Sequence, residues 1–242
     1  MDEADQVTSS KPKFRLIQLT LNKLAALYYA TDEVLQDAAL LESLASDAFV
    51  QEMAFKLDDA IYNGDGSGKP LGVLNANALV SVTKETGQAA TTIEYENIAK
   101  MYSRLWARSR SNAVWYANQD IIPQILTMSL AVGTGGVPVY LPANGAAGRP
   151  FDTLMGLPII FNEFSASLGT VGDIALLDLS QYFIAEKGGI QTAQSIHLRF
   201  DYNEQVFRWV YRIDGQPAWN TALTPFKGTN TQSPYIVVAT RS

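Results

Sequence analysis

Residues 61–75 read IYNGDGSGKPLGVLN, four glycines set around an Asp, a Ser, a Lys and a Pro directly behind a long helical pattern. Such a stretch could be a phosphate cradle, a calcium loop, a nucleophile turn or a structural break. A Walker A loop needs G-x-x-x-x-G-K-[ST]. Placing its last Gly-Lys on Gly68-Lys69 puts Asn63 at the first glycine and Pro70 at the magnesium-binding hydroxyl. An EF-hand needs a bidentate Glu at its twelfth position, and counting from Asn63 that position is Leu74. A nucleophile elbow needs G-x-S-x-G, and around Ser67 the first glycine position holds Asp65. The structural reading fits better. Gly64 is expected to end the helix as a left-handed cap. Asp65-Gly66 and Ser67-Gly68 form tight-turn pairs, Pro70 forces the chain out extended, and Leu71, Val73 and Leu74 anchor it back.

Working upstream, Thr31 reads as an N-cap with Asp32 and Glu33 in the first turn, where carboxylates suit the helix dipole. Val34, Ala38, Leu41, Ala45, Ala48, Phe49, Met53, Leu57 and Ile61 recur at three- and four-residue steps. They predict an amphipathic helix on the order of 45 Å long at ~1.5 Å per residue, and hence an elongated body. Phe14 to Tyr29 reads as strand, and the polar residues before it as a mobile end.

Downstream, Ala78 to Lys84 reads as a short strand. A helix is expected over about Ile93 to Ser109, capped by Thr92, with Ile98, Met101, Leu105 and Trp106 inward. Ala113 to Asn118 reads as a buried strand and Asp120 to Leu130 as a helix. Val132 to Arg149 is glycine-rich and reads as a loop. Gly156 to Phe161, Asp173 to Leu179 and Ser233 to Thr240 read as strands. Ile196, Leu198 and Phe200, then Phe207, Trp209, Tyr211 and Ile213, alternate with polar or basic residues around a turn at Asp201 to Gln205. That pattern predicts a long hairpin with one apolar and one basic face. The class is α+β.

Composition narrows the chemistry. The 242 residues are 47% hydrophobic and 17% charged, with a net charge of -6. This is a globular balance, without the basic field that a sequence-independent nucleic-acid binder needs. No apolar run could span a bilayer, so no membrane partner is expected. The acidic start, Met1 to Asp5, does not read as a secretory signal. The absence of cysteine excludes disulfides and thiolate chemistry and suits a reducing compartment. His197, the one histidine, reads as a surface residue. Asp58-Asp59 reads as a solvated helix face, Asp173, Asp178 and Asp214 as structure-terminating acids, and Arg104, Arg108 and Arg110 as helix-face or interface charges rather than phosphate contacts. No catalytic, cofactor-binding or metal-binding residue is expected.

Four segments in order resemble a known family. They are the helix-to-loop junction at 60–75, the Gly-x-Pro strand in LMGLPIIFNE (154–163), the segment GDIALLDLSQYFIAEKGGI (172–190) with Asp173, Asp178, Tyr182 and Ile184, and the hairpin SIHLRFDYNEQVFRWVYRIDGQP with Phe207, Arg208, Arg212, Asp214 and Gly215. Together they resemble the major capsid proteins of tailed bacteriophages and prophages, the Hong Kong 97 fold family.

The resemblance implies a layout. A peripheral domain (31–75 and 190–227) holds the spine helix and long hairpin. An axial domain (76–189 and 228–242) holds a mixed sheet with flanking helices, and residues 1–30 are the remnant of an N-terminal region and E-loop. It also implies a non-enzymatic role without cofactors: hexamers and pentamers closing an icosahedral shell around double-stranded DNA, held only non-specifically, in the virion after assembly in the bacterial cytoplasm. Scaffold, portal and maturation protease are implied partners. Members carry an N-terminal arm and both E-loop strands, so the chain is expected to be N-terminally truncated. An encapsulin-type nanocompartment shell is the alternative; the glycine loop and the E-loop-like start favour the phage reading. Exposed Trp209, Tyr211 and Trp219 are expected to supply subunit contacts.

Overall fold

The computed structural model describes residues 15–31, 33, 41–130, 137–138 and 153–242. Two sheets organise the chain. The first has four strands: β1 (Asn22–Thr31), β9 (Tyr182–Glu186), β10 (Gln191–Arg199) and β11 (Glu204–Pro217). β1 runs antiparallel along β11 from Asn22↔Ile213 to Thr31↔Glu204, while β9 and β10 pair with successive parts of its other edge. The second has six strands in the order β2-β12-β8-β3-β7-β6. These are β2 (Val80–Val82), β3 (Val114–Asn118), β6 (Thr153–Leu154), β7 (Leu157–Asn162), β8 (Ile174–Leu177) and β12 (Tyr235–Val238). A two-strand ribbon joins β4 (Ser129–Leu130) to β5 (Val137–Pro138).

The long helix α1 (Leu41–Asn63) lies on the four-stranded sheet. Phe49 stacks on Trp209, ring centroids 4.5 Å apart, beside Tyr28, Phe207 and the buried Met53. The alternation of β11 produces this face: Phe207, Trp209 and Ile213 are buried, with exposed Arg208 and Arg212 between them. Trp209 is only 3% exposed. It is therefore a core residue under α1, not the exposed contact expected from the sequence; Tyr211 and Trp219 are half-buried. The far end of α1 enters a second core. Buried Tyr62 packs with Val73, Leu177, Tyr182 and Tyr235, and its hydroxyl donates to Gly172 C=O at 2.9 Å. Burial pushes the Tyr62 phenol well above its ordinary range. The opposite face of the six-stranded sheet is covered by α2 (Tyr95–Arg104) and α3 (Ile122–Thr127). No helix among the described residues is long and apolar enough to cross a membrane.

Several sequence expectations shift. Thr31 ends β1 opposite Glu204, and residues 34–40, expected to be helical, lie outside the described part. The strand expected from Phe14 begins at Asn22. Thr92 does not cap α2: its hydroxyl donates to Ala89 C=O, and Asn97 Oδ1 accepts the Glu94 amide instead. α2 also ends at Arg104, because the Leu105 backbone bridges to Ser233 and the chain continues as a 3-10 turn over Ala107–Ser111. The helix expected over Asp120 to Leu130 is reduced to α3 because Ser129–Leu130 joins the ribbon. Most of the loop read over Val132 to Arg149 lies outside the described residues.

One buried ion pair was not read from the sequence. Arg241 and Asp173 are both 0% exposed and paired through Nη2 and Oδ2. Asp173 also accepts the Gly169 and Ile174 amides. Burial pushes its carboxyl up, against the pull of those amides and of Arg241. The pair pins the C-terminal tail, since the Arg241 amide donates to Gly169 C=O and its carbonyl accepts the Thr91 amide. Breaking such a pair strands a buried charge. Asp173→Asn is expected to destabilise the protein by about 3–5 kcal/mol in urea unfolding, and adding Arg241→Met is expected to recover part of that loss. A single-variant loss within ~0.5 kcal/mol would show that the pair does not hold the tail.

Candidate functional site

The glycine loop uses its polar groups internally. The Gly64 amide donates to Ala60 C=O, Gly72 to Gly64 C=O and Leu71 to Gly215 C=O. Asp65 accepts the Ser67 amide at 2.9 Å and lies 3.6 Å from Lys69. Those contacts, the Ser67 amide first, hold its carboxyl below the usual range. Asn75 Nδ2 caps both Asn63 and Gly64 carbonyls, and Tyr182 Oη donates to Leu71 C=O. A phosphate cradle presents free amides to a ligand; here four of them are already bonded. The loop is a clasp that ties the end of α1 to β9 and β11.

Gly64 does not adopt a positive φ, so it is not the left-handed cap expected of it. It is required for space: a Cβ there would sit 2.1 Å from Pro70 O and 2.4 Å from Ala60 O. The same holds for Gly72, where a Cβ would sit 2.4 Å from the Gly64 nitrogen. Gly66 and Gly68 do have positive φ, as expected of the turn pairs.

The other candidates are not brought together. Exposed His197 lies on β10, with its amide donating to Ser195 Oγ. Asp59 accepts Asn63 Nδ2, while partial burial pushes the neighbouring Asp58 carboxyl up. Asp178 is buried and caps the turn at Ser180, and Asp214 Oδ2 accepts the Thr20 amide. Arg104 binds the Thr231 carbonyl and hydroxyl. Arg108 lies over the Trp106 ring and Arg110 over Tyr102. A groove of about 330 Å³ between α1, β1 and the clasp is lined by Lys23, Lys56, Lys69 and Asp59, but Lys56 and Lys69 pair with Glu52 and Asp65. Among the described residues no three His, Asp or Glu converge for a metal.

What remains is surface. Large apolar side chains are exposed on the outer face of β1 (Leu27), on β9 (Phe183, Ile184), on the hairpin (Ile196, Leu198, Tyr202) and on α1 (Leu44). They mark several faces rather than one cavity, the pattern of a subunit with several neighbours.

Comparisons with known proteins give the same direction. The phage capsid family matches residues 1–228. The major capsid protein of Escherichia phage T5 is 25% identical over 193 residues, 74% of this chain and 40% of that protein. The chain thus spans well under half the length of that curated relative. Among solved structures, the capsid of a native GTA particle aligns with a TM-score of 0.76 at 20% identity, covering 100% of this chain and 80% of that one. A Mycobacterium phage Bobi chain aligns at 0.59 and 18% identity, covering 91% and 72%. These likenesses concern the fold.

Two outcomes follow for the loop. Gly64→Val is expected to lower stability by about 3 kcal/mol or more through overpacking, whereas Gly68→Ala, with open space around it, loses only about 1 kcal/mol to its positive φ. Equal losses would refute the close-approach role. Millimolar magnesium-ATP or calcium is expected to leave the melting temperature within ~1 °C, since only a ligand of the native state raises it; a clear rise would return the loop to the binding candidates.

Proposed function

The chain belongs to the phage capsid family, and from that premise we propose that it is the major head protein of a tailed phage or prophage. It is a structural protein, not an enzyme. Its role is to assemble through hexamers and pentamers into an icosahedral shell around double-stranded DNA. The observation that carries the reading is the family match across residues 1–228; the full-length alignment with a GTA capsid subunit supports the fold.

The architecture suits that role. α1 with the four-stranded sheet corresponds to the expected peripheral domain, and the six-stranded sheet with α2 and α3 to the axial domain. β9 was expected on the axial side of the 189/190 boundary but pairs with β11, so the domain break is placed before Tyr182 in this proposal. β1 is assigned to the base of the E-loop. Scaffold, portal and maturation protease are its proposed transient partners. The net charge of -6 suits a container that must release its DNA, because a lining of lysine and arginine would bind phosphates by counterion release. The solved structures compared above come from a GTA capsid and a phage, so the nanocompartment alternative is not taken further.

Sedimentation velocity and electron microscopy test the proposal, on this chain alone and joined to the N-terminal segment of a relative. Rings or closed shells are expected from at least the joined form. Strictly monomeric protein from both, at all concentrations and with the relative's scaffold present, would overturn it.

A further inference from the structure

The clasp opens with Asn63-Gly64. Asparagine is among the thermolabile residues, and most of all before glycine, whose missing side chain leaves the next backbone nitrogen unhindered. The fold requires both residues here, for separate reasons. Gly64 is required by volume, since a Cβ would meet Pro70 O at 2.1 Å and Ala60 O at 2.4 Å. Asn63 is required by its hydrogens. Its Nδ2 donates to Asp59 Oδ1 at 2.7 Å and to Phe164 C=O at 2.8 Å, tying the last turn of α1 to the loop after β7. Both partners accept hydrogen bonds, so a carboxylate in place of this amide would face another carboxylate and a carbonyl with no hydrogen to share.

The same contacts block the chemistry to which the pair is prone. Deamidation begins when the Gly64 nitrogen, freed of its proton, reaches Asn63 Cγ. That nitrogen donates to Ala60 C=O at 2.9 Å. At the other end of the same peptide plane, the Asn63 carbonyl accepts Asn75 Nδ2 at 3.0 Å. Asn63 is the last residue of α1, and a helical ψ holds the following nitrogen out of the plane of the five-membered ring. Turning the peptide into that plane breaks both bonds. It also moves the Gly64 carbonyl, which accepts the Gly72 amide at 2.8 Å.

We propose that Asn63-Gly64 is a deamidation site gated by folding: closed while the clasp is made, open in chains that have not folded, and unable to rebuild the clasp once converted. The Gly64 nitrogen bonds to Asn63 Cγ, the Cγ–Nδ2 bond breaks, and ammonia leaves carrying the proton that Gly64 gave up. One water then opens the succinimide to an aspartyl or isoaspartyl residue. The isoaspartyl form lengthens the main chain by a methylene, beside a contact that has no room for it. Chains that linger unfolded are thereby withdrawn from the pool able to reach the native clasp, whereas folded copies persist. The site goes beyond the shell reading and does not depend on it.

The test is mass spectrometry of the peptide spanning Asn63, from native and urea-unfolded wild-type protein held in the same mildly alkaline buffer. The unfolded chain is expected to convert, and the native chain to convert at least about a hundredfold more slowly, because reaction of a closed segment tracks the fraction that opens. Asn75→Ala, which removes a bond to this peptide, is expected to raise the native rate about fivefold and to leave the unfolded rate unchanged. Asn63→Asp, the genetic copy of one product, is expected to melt several degrees below wild type. Native conversion within about threefold of the unfolded rate, or an Asn75→Ala rate equal to wild type, overturns the gate. An Asn63→Asp protein that melts like wild type overturns the need for the amide. A wild-type chain that does not convert even in urea overturns the site itself. None of these measurements reads assembly, so their failure leaves the shell reading standing.

Discussion

The fold depends on a backbone contact that tolerates no side chain. Where Gly64 faces Gly72, the chain leaving α1 and the chain leading to the second core touch main chain to main chain. That contact sets the distance at which Leu71 meets Gly215 and Tyr182, and so fixes how the helix layer is joined to both sheets. Gly215 is part of the same arrangement, since a Cβ there would lie 2.7 Å from the Tyr182 ring. Gly64 and Gly72 of one loop and Gly215 of β11 therefore act as one spacer. Neither hydrophobic burial nor a hydrogen bond could replace it, because the restriction is one of volume.

From this junction the two cores diverge in character. The helix-on-sheet layer is thin and aromatic, built from Phe49, Trp209, Phe207 and Tyr28. The six-stranded sheet is closed on both faces, one mainly by aliphatic residues such as Ile98, Leu176 and Ile236, the other by Val237 together with Tyr62, Tyr182 and Tyr235. A thin layer leaves much of its surface to be covered by neighbours, and the exposed apolar residues of β1, β9 and β10 lie on it. In a shell, stability is then shared between intramolecular packing and contacts repeated at each subunit.

Local order was legible where periodicity and burial agree. The body of α1, the strands around Trp115, Ile174 and Ile236, and the alternation of β11 follow directly from residue patterns. The loop was legible as a structural turn, but neither its tie to β9 and β11 nor the reason for Gly64 was, because a close approach depends on Pro70 and Gly72 coming back in three dimensions. Trp209 was misread for a similar cause: alternation names a face, not what covers it, and α1 covers this one. Thr31 was read only as a cap, whereas its backbone also pairs with β11. The Asp173–Arg241 pair joins residues 68 positions apart, and no short-range pattern reveals it. Ile196 and Leu198 alternate like core residues, yet both are exposed, because alternation alone does not say which face is covered.

The position of β12 has a consequence for how the protein is made. This last strand lies inside the six-stranded sheet, parallel to β2 on one side and antiparallel to β8 on the other. Until it is inserted, β2 has no partner in that sheet, and Arg241 has not reached Asp173. The sheet therefore closes by pairing segments far apart in sequence, a step that loop-closure entropy makes slow. A subunit that met its neighbours before that pairing would bring bare strand edges into the contact.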